Sequence, residues 1–420
     1  MIMVIRFLVF WLIFGGLHAI ESRVEPFSSN YEDLELEAQL KILNKSPIQS
    51  FEKEDGSTID CIDIYKQPAF DHPLLKNHKL QMKPSLLLQE KMVMPTLELK
   101  EEDDINLSNS KSKSKFPGCP SGTVPIRRTQ KEDLIRANLP SRHNPPMANA
   151  LPSHVTAPQG VHHAGISTPQ GATEQYLGAR LALTVHNLTM TIPEQISTAS
   201  ARVGTGVAAP FSSIEFGWTA DGYEKTGCFN MLCPGFVQVC QQCILGQAIT
   251  DFTECGKELK YLYFAITKDP KTLNWWLVQS VPQAADVWVG YWPKELFHNS
   301  FEFATNVQIG GKVFSPSLEP AKTPMGSGHF VPGDSLKTAS ADFRLVDTSF
   351  GFTSDPKMVV VTDMPDSYQA QYLNGTNVIF GGPDIQKSQV ELGYSSMEEW
   401  ACAWLDNPIH LSWTHSWQSP

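Results

Sequence analysis

Short apolar segments, each ended by turn residues, dominate the chain from about residue 160 onward. They are rich in β-branched and aromatic residues, and Gly, Pro and Asn separate them. This pattern predicts an antiparallel sandwich or barrel. The predicted strands lie in QYLGARLALTV, YLYFAIT, NWWLVQSV, DVWVGYW and VVVTD.

The first third of the chain has a mixed pattern. YEDLELEAQLKIL carries three leucines at helical spacing, which predicts an amphipathic helix: Leu36, Leu40 and Leu43. STIDCIDIY alternates apolar and polar residues and predicts a strand. Thr129 and Glu132 have the spacing of a capping box, so a further helix is expected to begin near Gln130.

Two stretches lack any apolar period. LKEEDDINLSNSKSKSK is acidic and then rich in Ser and Lys, which predicts a solvated, disordered linker. Residues 139–159 are rich in Pro, Ser and His. They predict an exposed linker, which is where proteolytic maturation occurs most easily.

The N-terminus predicts a secretory signal. MIMVIRFLVFWLIFGGLHA has one Arg, an apolar run from Phe7 to Leu17 and a small-residue site that ends at Ala19. The run is short for a bilayer span, so cleavage is favoured, and an uncleaved anchor is the alternative. No later stretch is apolar enough to cross a membrane. We therefore expect a secreted, extracellular protein with no membrane contact after signal cleavage.

Charge and cysteine content narrow the partners and cofactors. With 33 basic and 44 acidic residues the formal charge is −11, and no element concentrates Lys and Arg, so nucleic acid is not expected as a partner. Eight cysteines in a secreted protein favour disulfides. Zinc is the alternative for the C-x-x-C pair Cys240 and Cys243, but no histidine follows at ligand spacing. Neither a metal nor a cofactor is expected.

Sequons are a further sign of an extracellular protein. Three are candidates for glycosylation: Asn106, Asn187 and Asn374. The sequon at Asn44 is followed by Pro47 and is a weaker candidate.

Glu215 is the candidate for chemistry. It lies between Ile214 and Phe216, in a short run that is otherwise apolar. Because side chains alternate along a strand, a solvated outward position is one interpretation. A catalytic acid on the concave face of a sheet is the other.

Several longer motifs resemble the plant neprosin family. PAFDHPLLKNHKLQMKPS (68–85) and CPSGTVPIRRTQKEDL (119–134) are similar to its activation-peptide module. Motifs similar to its catalytic domain follow in the family's order: SSIEFGW, GCFNMLCPGFVQV, NWWLVQ, VGYWPKELF, GGKVF, MGSGHF and IFGGP.

The resemblance implies a secreted zymogen, placed in the apoplast or cell wall, with a mainly β fold. An antiparallel two-sheet β-sandwich is preceded by a small α+β propeptide. The implied boundaries are a signal peptide at 1–19, an activation peptide at 20–97, a disordered linker at 98–118, a closing motif at 119–138, a maturation linker at 139–159, the sandwich at 160–383 and a tail without family resemblance at 384–420.

Active members of the family are metal-free glutamic endopeptidases that cut after proline in acidic surroundings. The partners implied are proline-containing peptides or proteins, and the chain's own propeptide. Two glutamates serve as the acids, because one carboxylate activates water while a protonated partner polarises the carbonyl or protonates the leaving amine. Mutual repulsion separates their pKa values, which explains an acidic optimum without a metal.

Glu215 in SSIEFGW matches the first of these acids. At the second position, in NVQIGGKVF, the chain carries Lys312, and Ile309 replaces a tryptophan. A lysine opposite Glu215 would form an ion pair with it and leave no proton donor at acidic pH. Glu295 and Glu302 are near in sequence, but strand register prevents either from taking the same place. A catalytically inactive extracellular binding protein that keeps the sandwich is therefore the alternative function.

The resemblance also implies roles for other residues. Two disulfides are expected, Cys61–Cys119 and Cys228–Cys233. Strand aromatics are candidates to line a groove for proline, with a core position as the alternative: Trp275, Trp276, Tyr291 and Trp292. His329 in MGSGHF is a candidate for the rim of the cleft, and a structural histidine held by hydrogen bonds is the alternative. Between Trp218 and Thr226 the chain is shorter than the family pattern, so a missing strand and a broken ladder are expected there.

Overall fold

A computed structural model describes residues 27–91, 116–137 and 160–383, apart from residues 189, 191–194, 206–210, 216, 220–227, 230, 255–256, 281–284, 298–300, 316–322, 332–335 and 354. The predicted signal peptide, most of the first linker, the maturation linker and the tail 384–420 lie outside the described residues. None of the helices in the described part is long and apolar enough to cross a membrane.

The first helix forms as predicted. α1 spans Phe27–Leu43. Leu36 and Leu43 are buried and Leu40 is partly buried, which confirms the amphipathic spacing. Among the described residues, those up to Ile42 belong to one compact unit and those from Leu43 onward belong to a second.

The second unit begins with a small antiparallel sheet. Its strands pair in the order β1 (Gln49–Glu52), β2 (Thr58–Asp63) and β3 (Thr123–Arg127). The predicted Cys61–Cys119 disulfide is present and joins β2 to the residues before β3. Two short helices complete this part, α2 (Leu86–Lys91) and α3 (Lys131–Ala137), with 3-10 turns at Pro68–Asp71 and Pro73–Leu75.

The cap of α3 lies one residue later than the sequence predicts. The carboxylate of Asp133 accepts a hydrogen bond from the backbone N–H of Gln130 at 2.8 Å. Asp133 therefore plays the part that the capping box assigns to Glu132.

The remainder is an antiparallel β-sandwich. The larger sheet has eight strands in the order β10 (Val237–Gln238), β13 (Val287–Trp292), β12 (Trp275–Gln279), β11 (Tyr261–Lys268), β5 (Tyr176–Thr184), β15 (Ala339–Asp347), β18 (Asn377–Gly381) and β17 (Gln369–Leu373). The smaller sheet has seven, in the order β16 (Val359–Thr362), β4 (Val161–Ser167), β14 (Asn306–Phe314), β6 (Ile196–Gly204), β7 (Ser213–Ile214), β8 (Gly217–Thr219) and β9 (Cys228–Phe229).

The main core lies between the two sheets. Apolar side chains alternate along each strand, so one face of each sheet supplies the core. The smaller sheet contributes Ile166, Val203 and Ile309, and the larger sheet contributes Leu181 and Phe343, all almost fully buried.

The expectation of a broken ladder beside Glu215 is wrong in the described residues. β7 pairs with β8, and β8 pairs with β9, so the smaller sheet continues past this position. Short strands are enough to keep the ladder in register there.

Residues 67–91, here called the activation segment, pack on the larger sheet. Leu88 and Ala69 are buried in an apolar cluster with Trp276 and Tyr291, on the face of this sheet that is turned away from the main core. Leu75 belongs to the main core itself and is 1 % exposed. The segment is therefore packed like an internal part of the fold.

Buried hydrogen bonds fix the same contact. The side chain of Gln67 donates to the carbonyl of Gln238 at 3.0 Å and accepts from its N–H at 2.8 Å. The carboxylate of Asp269 accepts from the backbone N–H and the hydroxyl of Ser85, both at 2.7 Å, and from the amide of Gln81 at 3.0 Å. Because buried polar groups are costly when unpaired, these bonds specify one docked position.

Candidate functional site

One face of the smaller sheet is polar. On strands β4, β14 and β6 every second residue enters the main core, and the residues between them form the opposite face. We call this the polar face, and it comprises His163, Ser167, Thr198, Ser200, Arg202, Ser213, Glu215, Asn306, Gln308 and Lys312. Most of these side chains are buried, whereas Thr198, Ser200 and Lys312 are partly exposed. The face is thus open to solvent at the Lys312 end.

Glu215 lies on this face and is 6 % exposed. It follows Ser213 by two residues, while Ile214 between them is fully buried in the main core. The hydroxyl of Ser200 donates a hydrogen bond to the Glu215 carboxylate. The interpretation of Glu215 as a solvated strand residue is therefore wrong. A catalytic role for it stays a proposal.

Lys312 shares the polar face with Glu215. Strand register places it between Thr198 of β6 and His163 of β4. Burial lowers its pKa; the negative charge of Glu215 opposes this shift, and the positive charge of Arg202 adds to it. The expected charge interaction between Lys312 and Glu215 is therefore present.

Arg202 and His163 lie on the polar face with the residues above. We call the following five residues the cluster: Glu215, Lys312, Ser200, Arg202 and His163. The Arg202 guanidinium lies 4.3 Å from the centre of the Phe211 ring. Burial, reinforced by the charge of Lys312, lowers the pKa of His163 to about 3, so this imidazole is neutral across the physiological range. Its Nδ1 is buried and forms no hydrogen bond within the described residues.

A second acid does not stand beside Glu215 in the described part of the chain. Asp363 is a further carboxylate whose charge acts on this cluster. It accepts a hydrogen bond from the backbone N–H of His163 at 2.9 Å, and it lies 3.5 Å from Nδ1 of His162. It follows β16, four strand spacings from β7, or roughly 19 Å at about 4.8 Å per spacing. That separation is too large for two acids that must act on one peptide bond.

The two glutamates that are close to Lys312 in sequence lie away from the polar face, as strand register predicts. Glu295 is 3.6 Å from His78 of the activation segment. Glu302 is exposed, and its backbone carbonyl accepts from Lys268. Neither is on the polar face.

The aromatic residues proposed for a proline groove are core residues. Trp275 and Trp292 are buried in the main core, against Phe301 and Phe236 respectively. Trp276 and Tyr291 are fully buried in the cluster with the activation segment, where the Tyr291 hydroxyl accepts from the N–H of Gln81. With the activation segment in place, all four therefore occupy the core position that was the alternative to a groove for proline.

His329 is not beside Glu215. It lies next to His186, just beyond the end of β5 on the larger sheet. Burial, reinforced by the positive charge of His329, lowers the pKa of His186 to about 4. In the described part of the chain, His329 lines a pocket with His186, Asn187 and Thr253.

The cysteines and sequons have the following places. Cys240 and Cys243 bond to each other, so neither thiol is available to a metal. Cys233 is disulfide-bonded, but the side chain of Cys228 lies outside the described residues, and this pairing stays a prediction. Asn187 and Asn374 are exposed, as a glycan requires, and Asn106 lies outside the described residues.

Sequence reasoning missed three members of the cluster: His163, Ser200 and Arg202. A signal was available, because TASARVG and HHAGIS alternate polar and small apolar residues, the pattern of a strand with one polar face. Polar residues on strands that are far apart in sequence come together only through the pairing register of those strands.

The two-sheet antiparallel arrangement, with a buried polar cluster on one sheet and an N-terminal segment packed on the other, places the chain in the class of β-sandwich proteins. Residues 194–383 match the family model Neprosin, and residues 50–167 match the model Neprosin activation peptide. The chain belongs to the neprosin family, and these matches support a neprosin-like protease that carries its own propeptide and acts on peptide substrates.

Proposed function

We propose that this protein binds proline-containing peptide chains on the polar face and hydrolyses them weakly or not at all. The observation that supports the proposal is the pairing of Glu215 with Lys312 in place of a second carboxylate. A lysine can hold a carbonyl oxygen or a carboxylate by charge, but with Glu215 it does not form the pair of carboxyl groups that share one proton in a two-acid site. Secretion is part of the proposal, motivated by the signal-like N-terminus and the disulfides.

A second candidate is a working glutamic endopeptidase that cuts after proline at acidic pH. It is favoured by the burial of Glu215 and by its hydrogen bond from Ser200, because a held carboxylate in a polar cluster suits water activation.

One experiment separates the two functions. The secreted, processed protein and its Glu215→Gln variant are incubated with a proline-containing peptide between pH 3 and 6 (about the range in which carboxylates titrate). Fragment ends are read by mass spectrometry, and binding of the same peptide is followed by fluorescence anisotropy. Binding without cleavage is expected. Cleavage after proline that disappears in Glu215→Gln would establish the endopeptidase instead, and absence of binding would end the proposal.

A further inference from the structure

A short loop after β10 joins the sandwich to the small N-terminal sheet. It comprises residues 240–247, and we call it the C-x-x-C loop, because the disulfide Cys240–Cys243 closes its first turn. The side chain of Cys243 packs against the main core. The side chain of Gln247 accepts a hydrogen bond at 3.2 Å from the ammonium group of Lys53, which directly follows β1. The loop therefore contacts both parts of the fold.

The side chain of Gln238 is at the centre of this contact, and it is fully buried. Its amide donates hydrogen bonds to the carbonyls of Cys243 at 2.7 Å and Cys240 at 3.3 Å, both in the C-x-x-C loop. The same amide donates to the carbonyl of Pro125 in β3 at 3.0 Å. The backbone of Gln238 is in turn held by the side chain of Gln67. One buried amide thus connects the disulfide-closed turn to the N-terminal sheet.

The disulfide holds the two loop carbonyls in place. A bond between residues three apart closes a tight ring, so the turn has few conformations. The amide of Gln238 has two N–H bonds to share among three acceptors, which requires those acceptors to stay close together. When the disulfide opens, the turn gains freedom and its carbonyls are no longer fixed beside the amide. A buried amide without acceptors is costly, so Gln238 then gains by turning toward other acceptors and releases Pro125.

The same disulfide is accessible to a reductant. Cys240 and Cys243 are both partly exposed, and Gln242 between them is exposed. In the other disulfide whose two cysteines the structure describes, Cys61 is fully buried. Because thiol–disulfide exchange requires access to a sulfur atom, we expect a reductant to open Cys240–Cys243 first.

We propose that reduction of the Cys240–Cys243 disulfide by a dithiol weakens the hold of the sandwich on the N-terminal piece, by which we mean the part of the chain before a cut in residues 139–159. One thiolate of the dithiol attacks a cysteine sulfur, the disulfide breaks, and a mixed disulfide forms while the other cysteine leaves as a thiolate. The second thiol of the reductant then attacks the mixed disulfide, and the reductant leaves as its own cyclic disulfide. The cysteine pair gains two electrons and takes up the two protons that the dithiol loses.

The first test uses the full chain with a protease site inserted between residues 139 and 159. After the cut, the sandwich is immobilised through a C-terminal tag, and release of the N-terminal piece is followed by biolayer interferometry without reductant. The double variant Cys240→Ser/Cys243→Ser is expected to release the piece at least about 10-fold faster than wild type, as for the loss of one or two buried hydrogen bonds. Gln241→Ser/Gln242→Ser changes the same turn, keeps the disulfide and should release the piece like wild type. Equal release from the cysteine variant and wild type, including none from either, would overturn the proposal.

The second test uses wild type and does not depend on how that variant folds. The cut protein is incubated with dithiothreitol, and aliquots are alkylated with iodoacetamide and read by mass spectrometry. Cys240 and Cys243 are expected to be alkylated before Cys61 and Cys119, and release of the N-terminal piece should accelerate in step with the first pair. Release that follows the second pair would contradict the proposal. An equal acceleration by dithiothreitol in the cysteine variant would also contradict it, because the effect would then come from another disulfide.

Discussion

Glu215 and Lys312 lie on the same face of the smaller sheet. Burial lowers the pKa of the lysine, and the negative charge of the glutamate raises it. A glutamic peptidase needs a proton shared between two acids. In this chain the partner of the acid is a base. The polar face therefore carries an acid and a base that interact by charge. The strand ladder of the smaller sheet continues beside them.

Restoring the second acid is expected to raise activity. Because β8 and β9 continue the sheet beyond Glu215, Lys312→Glu should cleave peptides after proline at acidic pH at a rate clearly above wild type. Lys312→Gln, which removes the positive charge without adding an acid, is the control. Mass spectrometry of fragment ends measures the effect. Failure of Lys312→Glu, in protein that melts like wild type, would show that the short 218–226 stretch is itself disabling.

Asp269 is expected to fix the activation segment. Asp269→Asn weakens the bonds from Ser85 and Gln81, and loss of such charge-assisted bonds costs about 1–3 kcal/mol. Urea denaturation at neutral pH should show this loss in the free energy of unfolding. Asp251→Asn, at an exposed position, should change it by less than about 0.5 kcal/mol. Equal stability of the two variants would remove this role from Asp269.

His78 is expected to make the docking sensitive to acid. Burial beside Tyr291 lowers its pKa below the ordinary value of 6.5, with Glu295 opposing. A histidine with a lowered pKa in the folded state stabilises that state fully above pH 6.5, and the contribution is lost as the pH falls from there toward the folded pKa. Unfolding free energies at pH 7.5 and pH 5 should therefore differ more in wild type than in His78→Gln. Parallel pH profiles of the two proteins would contradict the prediction.

Cleavage in the maturation linker is expected to leave the two pieces together. Leu75 is in the main core and Leu88 is fully buried against the larger sheet, so separation would expose Trp276 and Tyr291. A protease site inserted between residues 139 and 159 allows the cut. Size-exclusion chromatography without denaturant should show one particle with both pieces. Leu75→Asp, which places a charge in the core, should release the N-terminal piece, and separate elution of the wild-type pieces would contradict the expectation.

Much of the fold could be read from local pattern. The strands in YLYFAIT, NWWLVQSV and VVVTD form because β-branched and aromatic residues alternate between turns. α1 forms where leucines recur at helical spacing. The pairing of these strands into two sheets depends on contacts between distant residues, which no single stretch contains.

The candidate site was predicted less completely, for a physical reason. SSIEFGW and GGKVF point to Glu215 and Lys312 through their resemblance to family motifs. The cluster also needs His163 from β4 and Arg202 from β6, which only strand register brings alongside them. The position of the strand aromatics could not be predicted from the strand pattern alone. The activation segment covers Trp276 and Tyr291, and the pattern of a strand does not show which segment packs on the second face of its sheet.

The Cys61–Cys119 bond closes a covalent ring of chain that includes the whole activation segment. A protease that cuts the ring between residues 92 and 115 leaves both ends tied to one molecule. Such a nick is silent on a gel run without reductant and appears only when the bond is reduced. A cut outside the ring, such as one in the 139–159 linker, divides the chain into two molecules, so the position of the cut decides whether maturation has a redox step.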